Sequence, residues 1–142
     1  MSISSVKIVG SGLIGTSVGL ALSAQSIRVL MSDIDPAASA LAQSLVGQGL
    51  TFTSDHEFDL VVLAVPPSAF KNVIELESRL NPSSTFVDIL SIKTKPLLEV
   101  QELGDLASRF IGTHPMAGRE ISGPQSARGD LFAGRTWIVT TG

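Results

Sequence analysis

Apolar and polar positions fall into alternating blocks along this chain, and each block has the length of a strand or a helix. Val6-Lys7-Ile8-Val9 is a short β-rich run that stops at a glycine, and a stretch of small and apolar residues of helical length follows from Leu13 to Ala24. Ile27 to Met31 predicts a second strand, ending near Asp33. Asp35-Pro36 opens the next helix, with aspartate at the N-cap and proline at the first helical position. That helix runs through Ala37 to about Val46 and stops at Gly47 or Gly49. Thr51-Phe52-Thr53 reads as a short strand. Leu60 to Val65 is a continuous apolar run, as expected of a parallel strand buried on both faces. Pro66-Pro67 ends it, and a helix is predicted over Ala69 to Arg79. Thr85 to Ile89 reads as a strand, Lys95 to Leu106 as a helix and Arg109 to Gly112 as a strand. A glycine-rich loop from Pro115 to Gly129 precedes a last strand over Thr136 to Thr140.

Strands that alternate with helices imply βαβ units. The expected fold is therefore α/β: a Rossmann-type, doubly wound, mainly parallel sheet with helices on both faces. Neither an internal repeat nor a low-complexity tract interrupts the pattern. The length of 142 residues suits one domain with a single interior, and the 44% hydrophobic fraction supplies it.

Charge changes this picture only by exclusion. The net charge is -3 with no clustered basic residues, so the basic face that nucleic-acid binding needs is missing. Cysteine is absent, which removes disulfides and thiolate metal sites, and no metal site is expected. Met1 to Val6 is too short and too polar for a signal peptide, and no apolar run reaches the length of about 18 residues that a membrane span needs. The expectation is a soluble cytoplasmic protein without a membrane or nucleic-acid partner. The 16% charged fraction is below the usual figure of about 25%. That fits a surface partly covered by a partner, a cofactor or another domain, and composition alone also produces it.

The chemistry begins at Gly10-Ser11-Gly12-Leu13-Ile14-Gly15. This G-x-G-x-x-G loop follows a strand and opens a helix, the context in which the pattern binds a dinucleotide. Gly10 allows the tight turn, Gly12 lets the backbone approach a pyrophosphate, and Gly15 lets helix and strand pack closely. The helix N-terminus offers free N–H groups and the positive end of its dipole to the phosphates. An acidic residue is required about 20 positions on, at the end of the second strand, and Asp33 meets it. Its carboxylate can accept hydrogen bonds from the adenosine ribose hydroxyls and would repel a 2′-phosphate, which favours NAD over NADP. Arg28 lies too early in its strand to reverse that preference, and Asp35 suits the helix cap better. Ala64, Val65 and Pro66 stand at the end of the buried strand, where open α/β sheets place ligands. They read equally as a strand end and a helix-starting proline. The plain alternative for the glycine loop is a tight turn in a nucleotide-free α/β protein. A Walker-type loop is excluded, because no Gly-Lys-Ser/Thr follows.

Three more segments fall at predicted strand ends: Asp88-Ile89-Leu90-Ser91-Ile92-Lys93, then Gly112 to Glu120 (GTHPMAGRE), then Ser122-Gly123-Pro124, followed by Asp130 to Trp137 (DLFAGRTW). With the glycine loop they make the chain resemble, in order and over its whole length, the N-terminal cofactor-binding domain of the prephenate and arogenate dehydrogenase family. The resemblance implies NAD-dependent oxidative decarboxylation of prephenate, or of arogenate, in tyrosine biosynthesis. Hydride leaves the ring carbon that bears the 4-hydroxyl, carbon dioxide is lost and the ring becomes aromatic. It implies a catalytic role for His114, hydrogen-bonded to the substrate hydroxyl, since an imidazole that is neutral near pH 7 can accept a proton. By the same resemblance Ser91 orients that hydroxyl or the histidine, so both contact substrate, and Glu120 lies near the pocket entrance. Lys93 and Ser122 sit in matching segments without an assigned step. Plainer roles stand beside these: a structural His114, Ser91 as a helix cap, Glu120 as a solvated loop acid, Asp88 as a strand-end residue and His56 as part of a solvated charged turn.

Arg119 departs from the family, which often carries a small or hydroxyl residue there. Within residues 1–142 we expect one domain, with the family's helical C-terminal dimerisation domain absent. In the family that domain makes the dimer and supplies an arginine for a substrate carboxylate, a bidentate contact that is hard to replace. The implied partners are the small-molecule substrate and either a homodimer mate or another chain that provides the C-terminal domain. Two other readings remain: a relative of the β-hydroxyacid dehydrogenases and imine reductases, and an NAD-binding module with no chemistry of its own.

Overall fold

The computed structural model describes residues 2–47, 49–115, 127–134 and 137–139. Strand β1 (Ser5–Val9) leads through the glycine loop into helix α1 (Leu13–Ser23), followed by β2 (Arg28–Ser32) and α2 (Pro36–Gly47). Then come β3 (Leu60–Leu63), α3 (Pro67–Leu80), β4 (Thr85–Asp88) and α4 (Thr94–Gln101). A 3₁₀ helix (Gly104–Arg109) leads into β5 (Phe110–Pro115), and β6 (Trp137–Val139) is the last described element. The six strands lie in the order β2-β1-β3-β4-β5-β6. All pairings are parallel except β5 with β6, which is antiparallel.

The core forms on both faces of this sheet because successive strand residues point to opposite sides. Val6, Ile8 and Val62 pack with Val18 of α1 and Ala42 and Val46 of α2. Val9, Val61 and Leu63 point the other way, to Phe70 and Ile74 of α3 and Val100 of α4. This is the doubly wound, mainly parallel α/β arrangement expected from the chain's periodicity. Lys7 shares the α3 face, where its ammonium meets the buried Glu77 carboxylate at 2.8 Å.

Several expectations are corrected locally. Thr51, Phe52 and Thr53 form no strand. The Phe52 ring instead packs on Phe58 at 5.0 Å under the Arg28 guanidinium, and Arg28 Nη2 donates to the Thr51 carbonyl at 3.2 Å. The predicted helix over Lys95 to Leu106 breaks after Gln101, where Gly104 takes a left-handed φ of +67° that an α-helix cannot continue through. The β5 strand extends beyond Gly112 as far as Pro115, so His114 lies in a strand rather than a loop and pairs with Ile138 of β6. His56 is half-buried instead of solvated, with Nε2 3.1 Å from Ser5 Oγ and its ring against Phe52 and Phe58. The α2 cap is as expected, since Asp35 Oδ1 accepts the Ala37 N–H at 3.0 Å.

Candidate functional site

The strand order reverses direction at β1. The chain steps outward from β1 to β2, then returns across β1 to place β3 on its other side. A crevice opens at such a switch point, beyond the carboxyl ends of the strands. Here a cavity of about 460 Å³ opens at that place, between Gly10, Ser11 and Gly12 after β1, Asp33 and Ile34 after β2, and Ala64, Val65 and Pro66 after β3.

The glycines of the loop serve different needs. Gly10 has φ +108°, and a Cβ there would lie 2.3 Å from the Ala64 carbonyl oxygen. At Gly15 a Cβ would lie 2.1 Å from the Gly10 carbonyl oxygen. Both are demanded by the chain itself. Gly12 differs, because a Cβ there would have nothing within 4 Å among the described residues. Its bareness opens onto the cavity at the N-terminus of α1, where backbone N–H groups and the helix dipole favour an anion.

Asp33 stands over this loop. Its Oδ2 accepts the Ser11 N–H at 2.7 Å and the Ser11 hydroxyl at 2.8 Å, while Oδ1 accepts the Asp35 N–H at 2.9 Å. Partial burial alone would raise its pKa, but the bonds from Asp35 and Ser11 outweigh that and hold it below the ordinary value. Asp33 is thus a fixed anion at the cavity rim. Ile34 beside it is fully exposed, and Ala69 and Val73 of α3 complete the apolar wall. Ala69 and Val73 reach the cavity only because the fold brings α3 under the β3 end, whereas Ile34 follows Asp33 directly in the chain.

A second group of residues lies at the carboxyl ends of β4 and β5, which pair through Asp88 opposite Gly112. Ser91 is exposed, three residues past the end of β4, and no side chain caps α4. His114 is half-buried in β5, and its Nδ1 is buried without a hydrogen-bond partner among the described residues. Between them sits an ion pair not assigned from the sequence. Asp88 is fully buried, and Lys93 Nζ donates to its Oδ2 at 2.5 Å and to the Thr113 carbonyl at 2.5 Å. Burial pushes the Asp88 pKa up, although Lys93 and the Thr113 N–H pull against it. An aspartate closing a strand after Phe86 and Val87, with a lysine five residues on, was the available signal.

Ser91 and His114 therefore share the carboxyl edge of the sheet with the glycine loop. Glu120, Arg119 and Ser122 lie outside the described residues. Among the described residues, no group of three or more histidine, aspartate or glutamate side chains could hold a metal, and no helix is long and apolar enough to cross a membrane.

Comparison with known proteins agrees with this fold. Residues 18–142 match the family model described as the prephenate dehydrogenase nucleotide-binding domain. A probable prephenate dehydrogenase of Streptomyces niveus, NovF, is 39% identical over 132 residues, 93% of this chain and 36% of that protein. The prephenate dehydrogenase of Bacillus subtilis is 28% identical over 145 residues, covering 96% of this chain and 39% of its own length. The crystal structure of the Aquifex aeolicus prephenate dehydrogenase with hydroxyphenyl propionate and NAD+ superposes with a TM-score of 0.83 at 27% identity, over 100% of this chain and 52% of that one. The chain thus spans between a third and about half of the length of these relatives.

Proposed function

Because the chain belongs to the prephenate dehydrogenase family, as its nucleotide-binding domain, we propose that it binds NAD at the β1–α1 loop and forms half of the site for oxidative decarboxylation of prephenate to 4-hydroxyphenylpyruvate. Gly12 at the mouth of the cavity carries this reading: unlike Gly10 and Gly15, its lack of a side chain is explained by no contact among the described residues. Gly12 and the α1 N-terminus would hold the pyrophosphate, with Leu13 and Ile14 continuing the loop into the helix, and Gly10 and Gly15 hold the turn. Asp33 takes the adenosine ribose hydroxyls with its remaining acceptor capacity, and its charge disfavours a 2′-phosphate. Ala64, Val65 and Pro66 line the path from the adenosine towards the nicotinamide.

Bound NAD supplies the hydride acceptor. His114 accepts the proton of the substrate 4-hydroxyl as hydride leaves the carbon that bears it. Ser91 orients that hydroxyl or the imidazole, and Glu120 stands near the entrance. The Nδ1 of His114, buried without a partner among the described residues, supports the assignment, because such an atom is the exception in folded proteins. We place the reaction in tyrosine biosynthesis in the cytoplasm. Protein outside residues 1–142 supplies the cation for the substrate carboxylates.

The test is to supply NAD and prephenate and follow NADH absorbance, alone and with the C-terminal domain of a relative added. NADH should form, and His114→Asn should lower kcat by about 100-fold or more while changing the NAD dissociation constant by less than about twofold. An unchanged kcat in that variant would remove His114 from the chemistry. NADH formed only from small hydroxyacids would favour the β-hydroxyacid dehydrogenase reading instead.

A further inference from the structure

We infer that Asp88 and Lys93 form a clasp that sets the position of His114 relative to Ser91, making them positioning residues for the reaction proposed above, on which this inference rests. The residue before the histidine carries the argument. All three polar groups of Thr113 are held by this pair. Its N–H donates to Asp88 Oδ1 at 3.1 Å, its hydroxyl donates to the Asp88 carbonyl at 2.6 Å, and its carbonyl accepts from Lys93 Nζ at 2.5 Å. Lys93 also holds Asp88 Oδ2, so one ammonium ties the segment after β4 to both strands. Ser91 lies inside the tied segment and His114 directly follows the tied threonine. The clasp therefore fixes both ends of the Ser91–His114 relation.

Stability does not account for this arrangement. A carboxylate with no exposed surface, in a strand whose other buried position is Phe86, is costly to desolvate, and apolar residues at such a place often stabilise a protein as well or better. Neighbouring strands need no ion pair to stay in register, since β4 and β5 already pair from Phe86 to Asp88. The pair sits at the carboxyl end of the ladder, where the β4–β5 pairing stops at Asp88 and Gly112. Apart from the clasp, His114 has no orienting acceptor of its own, because Nδ1 is unpartnered among the described residues. Its placement then depends on its backbone, which β6 pairs on one side and the anchored Thr113 ties to β4 on the other.

The test uses the double variant Asp88→Asn/Lys93→Met, in which asparagine keeps an acceptor for the Thr113 N–H and no buried charge is left alone. Two measurements read it. In the chain itself, the His114 imidazole resonances should shift or broaden while those of His56 and the melting temperature stay in place. In the prephenate assay, kcat should fall by about tenfold or more while the KM for NAD changes by less than about twofold, as expected of a displaced group rather than a lost cofactor site. Added to His114→Asn, the double variant should cause no further loss. Lys93→Arg, which keeps the charge and its donors, should recover most of the kcat that Lys93→Met loses, and that pair of single variants decides the matter if the double variant does not fold. The clasp is refuted if kcat stays within about threefold with unchanged His114 resonances, or if the arginine variant is as impaired as the methionine one. Should prephenate not be oxidised by the unsubstituted protein, the function is wrong while the histidine spectrum still judges the clasp.

Discussion

At the residue scale, the three loop glycines make separable predictions. Gly10→Ala and Gly15→Ala drive a Cβ into a backbone carbonyl at 2.3 Å and 2.1 Å, and backbone is the neighbour least able to give way. Each should cost about 1–3 kcal/mol or more and lower the melting temperature by several degrees. Gly12→Ala meets no atom of the described residues within 4 Å, so its melting temperature should match the unsubstituted protein while its affinity for NAD collapses. Thermal melts beside calorimetric titrations check both halves, and a Gly12→Ala protein that binds NAD normally would contradict the phosphate site. These glycines and Asp33 were legible because spacing along the chain fixes their job: a turn, a close approach, an acid one strand away. Asp88 and Lys93 were not. Alternation puts Asp88 on the buried face with Phe86 and Lys93 stands five residues on, but only the three-dimensional fold brings Thr113 against them and so gives them a job.

At the element scale, strand and helix identities were readable and their ends were not. Burial on both faces marked β3, and Asp35-Pro36 marked the start of α2, because each is a local signal. The expected strand at Thr51 to Thr53 failed because Arg28 takes the Thr51 carbonyl and the Phe52 ring, a tertiary contact that outweighs β-propensity. Likewise β5 runs on to Pro115 because β6 pairs with it, which no window around Gly112 contains. One contact between elements carries a pH prediction. Asp59 Oδ2 accepts the Ser4 N–H at 2.8 Å, the Ser4 hydroxyl at 3.0 Å and the Ser5 N–H at 3.2 Å, tying the start of β1 to the approach to β3. The Ser4 and Ser5 N–H groups, then the Ser4 hydroxyl, hold its carboxyl below the ordinary value. A depressed folded-state pKa means the stabilisation is complete above the unfolded carboxylate range, about pH 4, and is lost as pH falls through the lower folded value. Asp59→Asn should therefore melt below the unsubstituted protein at neutral pH, and the gap should shrink on acidification. A gap that widened towards acid would reverse the assignment.

At the scale of the whole molecule, the sheet separates two tasks along one edge. The cofactor crevice lies where β1, β2 and β3 end, and the proposed hydride-transfer residues lie where β4 and β5 end. Alternating strands and helices were enough to anticipate that edge, since a parallel sheet puts all its carboxyl ends together. A nucleotide seated in the crevice touches the ends of three strands and binds only the folded chain, so it must stabilise the molecule as a unit. At a concentration of 100 times its dissociation constant, a ligand of this kind adds about 2.7 kcal/mol. The melting temperature should accordingly rise with NAD and keep rising with the logarithm of its concentration. NADP at equal concentration should raise it much less, because Asp33 is a fixed anion whose three donors prevent it from turning away from a 2′-phosphate. The double variant at Asp88 and Lys93 should show the full NAD shift, since the clasp lies beyond the crevice, whereas Gly12→Ala should show none. An equal shift with NADP would mean that Asp33 does not set the cofactor preference. A lost shift in the clasp variant would mean that the two ends of the edge are one coupled site.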